Sequence, residues 1–189
     1  MAIIPDLGLI TVDEYHRLGE QGVLDEDARV ELVDGSVVDM PPIGPRHMFN
    51  VNRLTQFFIL RLLGRIILSI QNPVTFGLRL ERQPDVTLLD PHAEDPNFYR
   101  TNRPTPSDVL LIVEVSDSTL HTDLIEKRRQ YGSHGIREYW VVNLQDDELV
   151  VHRDPTADGY ASVTTLARGD SISPLAFPDV TFTVDEVLG

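Results

Sequence analysis

The sequence predicts an α/β fold built on a mixed central sheet with helices against it. Three observations lead there. The expected order of elements is helix, hairpin, helix, three strands, helix, strands, which is not a regular strand–helix alternation. The run "VLLIVEV" at 109–115 is too apolar on both faces for an edge strand, so it belongs inside a sheet. Two stretches, about 46–69 and 120–132, carry helical spacing. A chain of 189 residues is expected to form one domain, spanning 1–189, with a substantial core.

The elements follow in order. "TVDEYHRL" opens with a capping box: the Thr11 hydroxyl can accept from a backbone N–H three residues on, and Glu14 can reach back. A short helix over 12–19 is predicted. "ARVELVDGSVVDM" holds two β-prone runs, 29–33 and 36–40, around Asp34-Gly35, a dipeptide suited to the positive φ angles of a tight hairpin. "PPIGP" breaks the chain. Leu54, Phe58, Leu62 and Ile66 then recur every four residues and predict a core helix from 46 to about 69. Arg53, Arg61 and Arg65 fall on another stripe, read as a solvated face rather than a phosphate-binding one. Strands are predicted near 74–80, 85–89 and 109–115. Residues 91–107 hold four prolines and form a long loop. A helix over 120–132 follows. Then come a strand at "GIREYWVVNL", its hairpin partner at "DDELVVHRD", and an outer strand at "GYASVTTLARGDSI".

Composition removes several function classes. With 16 basic and 30 acidic residues, the net charge is −14, which repels polyanions at long range. A nucleic-acid role therefore needs a local basic surface or bound metal ions. The chain has no cysteine, which excludes disulfides, thiolate zinc sites and thiol nucleophiles. A cytoplasmic location fits that usage. "MAIIPDLGLITVDEY" lacks the basic start and apolar run of a secretory leader. Arg61 and Arg65 interrupt the most apolar stretch, 57–70, so no membrane span is expected. Phosphate-binding glycine loops, G-x-S-x-G and H-E-x-x-H are all absent, and the six histidines are scattered.

What remains is the placement of acids. Asp85 follows Pro84 at the head of an apolar strand, and Glu114 sits inside "LLIVEVS". Burying a carboxylate there is costly unless something compensates it, so Glu114 is a candidate site residue rather than a solvent-facing one. Two carboxylates on neighbouring strands make a hard, oxygen-rich site suited to Mg²⁺ or Mn²⁺. Lys127 is the only lysine among sixteen basic residues and lies on the next helix, with Tyr131 one turn further on. Two roles stay open for Lys127: a cation that positions water at the acids, or an ordinary i,i+4 partner of Asp123.

"RVELVDGSVV", "QPDVTLL", "LLIVEVSDST" and "EKRRQYGSHGIREYWVVNL" together resemble the successive motifs of a large bacterial family, the "putative restriction endonuclease" family of the PD-(D/E)XK nuclease superfamily. The resemblance runs from about Thr11 to Leu188. It implies a restriction-endonuclease-like core with an N-terminal hairpin and a C-terminal β extension, and a metal-dependent phosphodiesterase site. Asp85 would be the PD acid, Glu114 the second acid, and Glu31 an acid from the N-terminal part of the core. Ser116 stands where the superfamily signature has its lysine, and the resemblance puts that role on Lys127. His47 also matches the family pattern and is read as a site residue, a cap or a surface residue. "PDVT" recurs at 178–181, but Asp179 has no downstream acid strand or lysine helix, so that copy is expected to pack outside on Phe177, Val180 and Phe182.

Three functions remain in view. The first is a Mg²⁺- or Mn²⁺-dependent endonuclease, acting on DNA and plausibly as a homodimer, with phosphate contacts from among Arg79, Arg82, Arg100, Arg103, Arg128 and Arg129. The second is a nuclease-fold binding or scaffold protein without cleavage, favoured by the acidic charge and the displaced lysine. The third is a hydrolase of small phosphate esters.

Overall fold

The computed structural model describes residues 8–25, 28–92 and 94–189. The first half of the stretch read as lacking a leader lies outside them. Helix α1 (Val12–Glu20) starts at the Thr11–Glu14 capping box. Strands β1 (Val30–Val33) and β2 (Ser36–Asp39) form the expected hairpin, with Asp34 at φ 52° and Gly35 at φ 87°. They join β5 (Glu81–Arg82) and β4 (Val74–Thr75) in a small antiparallel sheet of order β2-β1-β5-β4.

The main sheet has six strands in the order β10-β9-β8-β7-β6-β3: β3 (Ile67–Ile70), β6 (Val86–Leu89), β7 (Val109–Ser116), β8 (Glu138–Asn143), β9 (Glu148–Thr156) and β10 (Gly159–Ala167). Only β7 and β8 run parallel; every other neighbouring pair is antiparallel. The fold is thus the α/β class with a mixed sheet flanked by helices.

Alternation along β7 sorts its side chains between two cores. Leu111, Val113 and Val115 join Phe58, Trp140 and Phe182 beneath helices α2 (Pro45–Leu62) and α4 (Val184–Leu188). Ile112 packs on the other face with Tyr131, Ile136 and Tyr139. Glu114 has the parity of Ile112, so it too faces helix α3 (Arg128–Ser133).

Three expectations are corrected. Helix α2 stops at Leu62, not near 69: Leu63 turns to φ −52°, ψ 127°, Gly64 takes φ 78°, and the β-branched run that follows becomes edge strand β3. The strand expected over 74–80 is only Val74–Thr75. The second "PDVT" does not pack outside. Phe177 and Phe182 are buried in the main core, Phe182 lies 5.2 Å from the Phe58 ring, and β11 (Ser171–Ile172) pairs with β12 (Phe182–Thr183) above them. Asp179 does stay outside, bonded to Arg65 at 2.7 and 3.0 Å. Among the described residues, no helix is long and apolar enough to cross a membrane.

Two features fix the face that α3 covers. A Cβ on Gly132 would fall 2.0 Å from the Gly159 carbonyl oxygen, so α3 touches the start of β10 backbone to backbone. His152 is buried beside Tyr139 and Tyr160, at 5.1 and 5.6 Å between ring centroids. Burial, aided by Arg128, lowers its pKa from 6.5 to about 4.

Gly132→Ala is expected to lower the unfolding free energy by about 2–3 kcal/mol in urea denaturation, because backbone cannot yield as a side chain can. Gly135→Ala, with open space around its Cβ but φ 82°, is expected to cost about 1 kcal/mol. The unfolded chain protonates His152 near pH 6.5 and the folded chain only near 4. Its contribution is therefore complete above 6.5 and falls as the pH drops toward 4, by about 3 kcal/mol in all. His152→Phe should remove that part of the acid sensitivity, read as the wild-type-minus-variant difference between pH 7.5 and 4.5.

Candidate active site

The site forms where β6 begins and β7 ends. Val86 pairs with Val113, so Asp85, one residue earlier, falls opposite Glu114 on the same face of the antiparallel ladder. Both are buried. Asp85 Oδ2 accepts from the Val115 N–H at 2.9 Å and from His47 Nε2 at 2.9 Å, and Oδ1 accepts from Gln71 Nε2 at 3.2 Å. Glu114 Oε1 accepts from the Tyr131 hydroxyl at 2.7 Å and meets Lys127 Nζ at 3.0 Å.

Lys127 makes the i,i+4 pair with Asp123 and also reaches the acid pair. Its ammonium lies 3.0 Å from Glu114 Oε1 and 3.0 Å from Asp123 Oδ1. The turn that carries it, Thr122–Lys127, is a π-helix leading into α3. Such widened turns recur at functional sites. Ser116 does not touch the acid pair; its hydroxyl donates to Asp123 at 2.6 Å, as does Thr119 at 2.6 Å. Glu31 lines the same cleft and is tied there to Arg82 at 2.7 Å and to the Gln83 N–H at 2.7 Å. The structure thus links Asp85, Glu114, Lys127, His47 and Tyr131 directly, with Glu31 lining the same cleft and Ser116 one step away through Asp123.

Of the arginines expected at phosphates, Arg82 lines the cleft, whereas Arg79, Arg100, Arg103, Arg128 and Arg129 do not. Arg82 is buried against Glu31 and Gln130. Arg103 pairs with Asp13, and Arg128 donates to the Tyr160 carbonyl.

Gln71 was not expected at the site. It sits just past β3 with φ 52°, a left-handed conformation unusual for glutamine. Its N–H points at the Pro84 and Asp85 carbonyls, at 3.1 and 3.2 Å, while its side chain reaches Asp85. The sequence signal was the "QNP" turn after "IILSI", hidden by reading that run as helix.

The electrostatics follow from burial. Burial pushes the Glu114 carboxyl up to about 8, Asp85 and Asp123 add to it, and Lys127 and Tyr131 pull the other way. Burial also acts to raise Asp85, but the His47 hydrogen bond and charge, Lys127 and the Val115 N–H outweigh it and hold that carboxyl low. Burial would strip Lys127 of its proton; the carboxylates of Glu114, Asp123, Glu31 and Asp85 keep it charged. Four buried acids (Glu31, Asp85, Glu114, Asp123) thus face two buried cations, Arg82 and Lys127. With Glu114 ionised, the excess is two negative charges on hard oxygens, which suits one divalent cation. Among the described residues, no three His, Asp or Glu converge as a ready-made cage. Mg²⁺ needs only one or two carboxylates and fills its other positions with water and phosphate oxygens. Asp85 and Glu114 are the residues that would hold it.

These groups open into a cleft of about 450 Å³ between the β1–β2 hairpin, the 41–44 turn and the 117–127 segment. The rim is acidic: Asp39, Asp117 and Glu126 against Arg29.

A mixed sheet with an acid pair at the centre of one face belongs to the restriction-endonuclease-like class. Residues 12–185 match the Uma2 family, described as "Putative restriction endonuclease", and the chain belongs to that family. The fold is similar to that in the "Crystal structure of a putative nuclease belonging to DUF820 from Anabaena variabilis ATCC 29413". The TM-score is 0.68 at 14% identity, over 95% of this chain and 97% of that one. No curated protein matches the chain.

Gln71→Gly removes the side-chain bond to Asp85 and suits the backbone angle. The variant is expected to melt within a few degrees of the wild type, and to bind Mn²⁺ about tenfold more weakly in calorimetry. Unchanged affinity would show that Gln71 does not hold Asp85 for the ion.

Proposed function

We propose that the chain is a divalent-metal-dependent endonuclease that hydrolyses phosphodiester bonds in DNA. The observation that carries this reading is the Asp85–Glu114 pair across the β6–β7 ladder, with the Lys127 ammonium 3.0 Å from Glu114. In it, Asp85 and Glu114 would hold Mg²⁺ or Mn²⁺, which would activate a water and offset charge on the scissile phosphate. Lys127 orients the attacking water and balances the negative charge that grows on the phosphoryl oxygens. The water oxygen would form the new P–O bond as the in-line P–O bond to the leaving ester oxygen breaks; the water gives up one proton to solvent and the leaving oxygen takes one from it. His47 and Gln71 fix the Asp85 carboxylate, Tyr131 fixes Glu114, and Ser116 and Thr119 fix Asp123 so that Lys127 keeps one position. Residues 1–189 act as one domain, and a duplex cut on both strands calls for two copies.

The acidic rim favours a second reading, a nuclease-fold binding protein that does not cleave. One titration separates them. The wild type is expected to bind Mn²⁺ by calorimetry. Asp85→Asn and Glu114→Gln, each still folded by circular dichroism, should bind at least tenfold more weakly. A wild type that binds no Mn²⁺, or variants that bind equally well, would remove the enzymatic reading and leave the binding protein. With binding established, Mg²⁺-dependent cleavage of DNA that both variants lack completes the test.

A further inference from the structure

The shape and lining of the cleft say more about its substrate than the acid pair does. Its volume, about 450 Å³, lies in the range of sites that enclose one small ligand. One wall is apolar. Val38 is the cross-strand partner of Glu31, so its side chain points into the cleft with that acid. Val38 is 43% exposed, and Ile43, on the same wall, is 41% exposed. Met40, Pro41 and Pro42 complete this surface.

A double helix is held mainly through its phosphates by a basic surface. The rim here is acidic, Arg82 is committed to Glu31, and the net charge is −14. Affinity must therefore come from inside the cleft, from apolar contact with a base and from an ion between the acids and a phosphate. A base is free to lie on a side-chain wall only when it has left its stack.

We infer that the cleft takes a single unpaired nucleotide. Its base lies on the Val38–Ile43 wall and its phosphate at Asp85 and Glu114. The substrate is then a single strand, a flap or a frayed end rather than the interior of a duplex. The inference rests on the nuclease reading above, and deepens it by naming the substrate class.

The test uses short 5′-fluorescein oligonucleotides with phosphorothioate linkages that resist cleavage, and follows anisotropy in Mn²⁺ with the full chain. The single strand is expected to bind at least tenfold more tightly than a blunt duplex of the same sequence. Val38→Thr with Ile43→Ser, which removes apolar surface without adding charge, should weaken single-strand binding at least tenfold and leave the melting temperature and Mn²⁺ affinity unchanged. Ile43→Trp, which offers a stacking surface, should strengthen it severalfold. Equal or tighter duplex binding overturns the inference. So does single-strand affinity indifferent to both substitutions, or absence of oligonucleotide binding. Because the Mn²⁺ titration is read separately, a chain that binds the ion but no single strand loses only the nucleotide cleft. A chain that binds no ion loses the nuclease reading.

Discussion

A carboxylate on a strand buried on both faces must find a cation, and in this protein Glu114 finds Lys127. Leaving the acid unpaired there would cost several kcal/mol, and removing one partner of such a pair typically costs about as much. Much of the surrounding architecture can be read as meeting that demand. The π turn delivers the ammonium between two acids. Ser116 and Thr119 hold the second acid, Asp123. Tyr131, buried in the core below α3, supplies Glu114 with a hydrogen bond from the same helix face. The Gly132–Gly159 contact then sets how close that helix lies to the sheet.

Asp85 is held by a different logic. Its donors come from three separate elements: the backbone of β7, the head of α2 and the turn after β3. The carboxylate is therefore an assembly point for parts of the chain far apart in sequence. Its partner Gln71 accepts an unfavourable backbone angle in that position. Strain retained beside a candidate catalytic acid is a common mark of sites where geometry outranks stability. Only one acid of the pair is pushed toward its neutral form, because Asp85 has three donors and Glu114 is buried more completely.

The acid pair was legible in the sequence because it broke a rule. An acid inside "LLIVEVS" and a PD at the head of "VTLL" contradict the apolar pattern around them, and pattern-breaking is what a single sequence can show. Lys127 was visible for a similar reason, as one lysine among many arginines. The N-terminal hairpin and its turn were readable because Asp34-Gly35 encodes its own backbone angles locally. What stayed hidden depended on distant contacts. The end of α2 was missed because "RIILSI" satisfies a helical period as well as a strand one, and only pairing with β6 decides it. Gln71 vanished with that error. Arg82 reads as surface charge until the small sheet folds over it and buries it against Glu31. Phe177 and Phe182 looked like trim at the end of the chain, yet they fill the main core, since nothing local says which layer a terminal strand will cover.

Lysine, and not arginine, occupies the one position where a compact charge must fit between two oxygens 3.0 Å away. Every other basic residue in the chain is arginine. To an amine-directed reagent, the folded protein therefore offers a single side-chain target, and the fold withholds it. The rate at which that one amine becomes modified is a clock for the opening of its helix, set by how often the acids let it go.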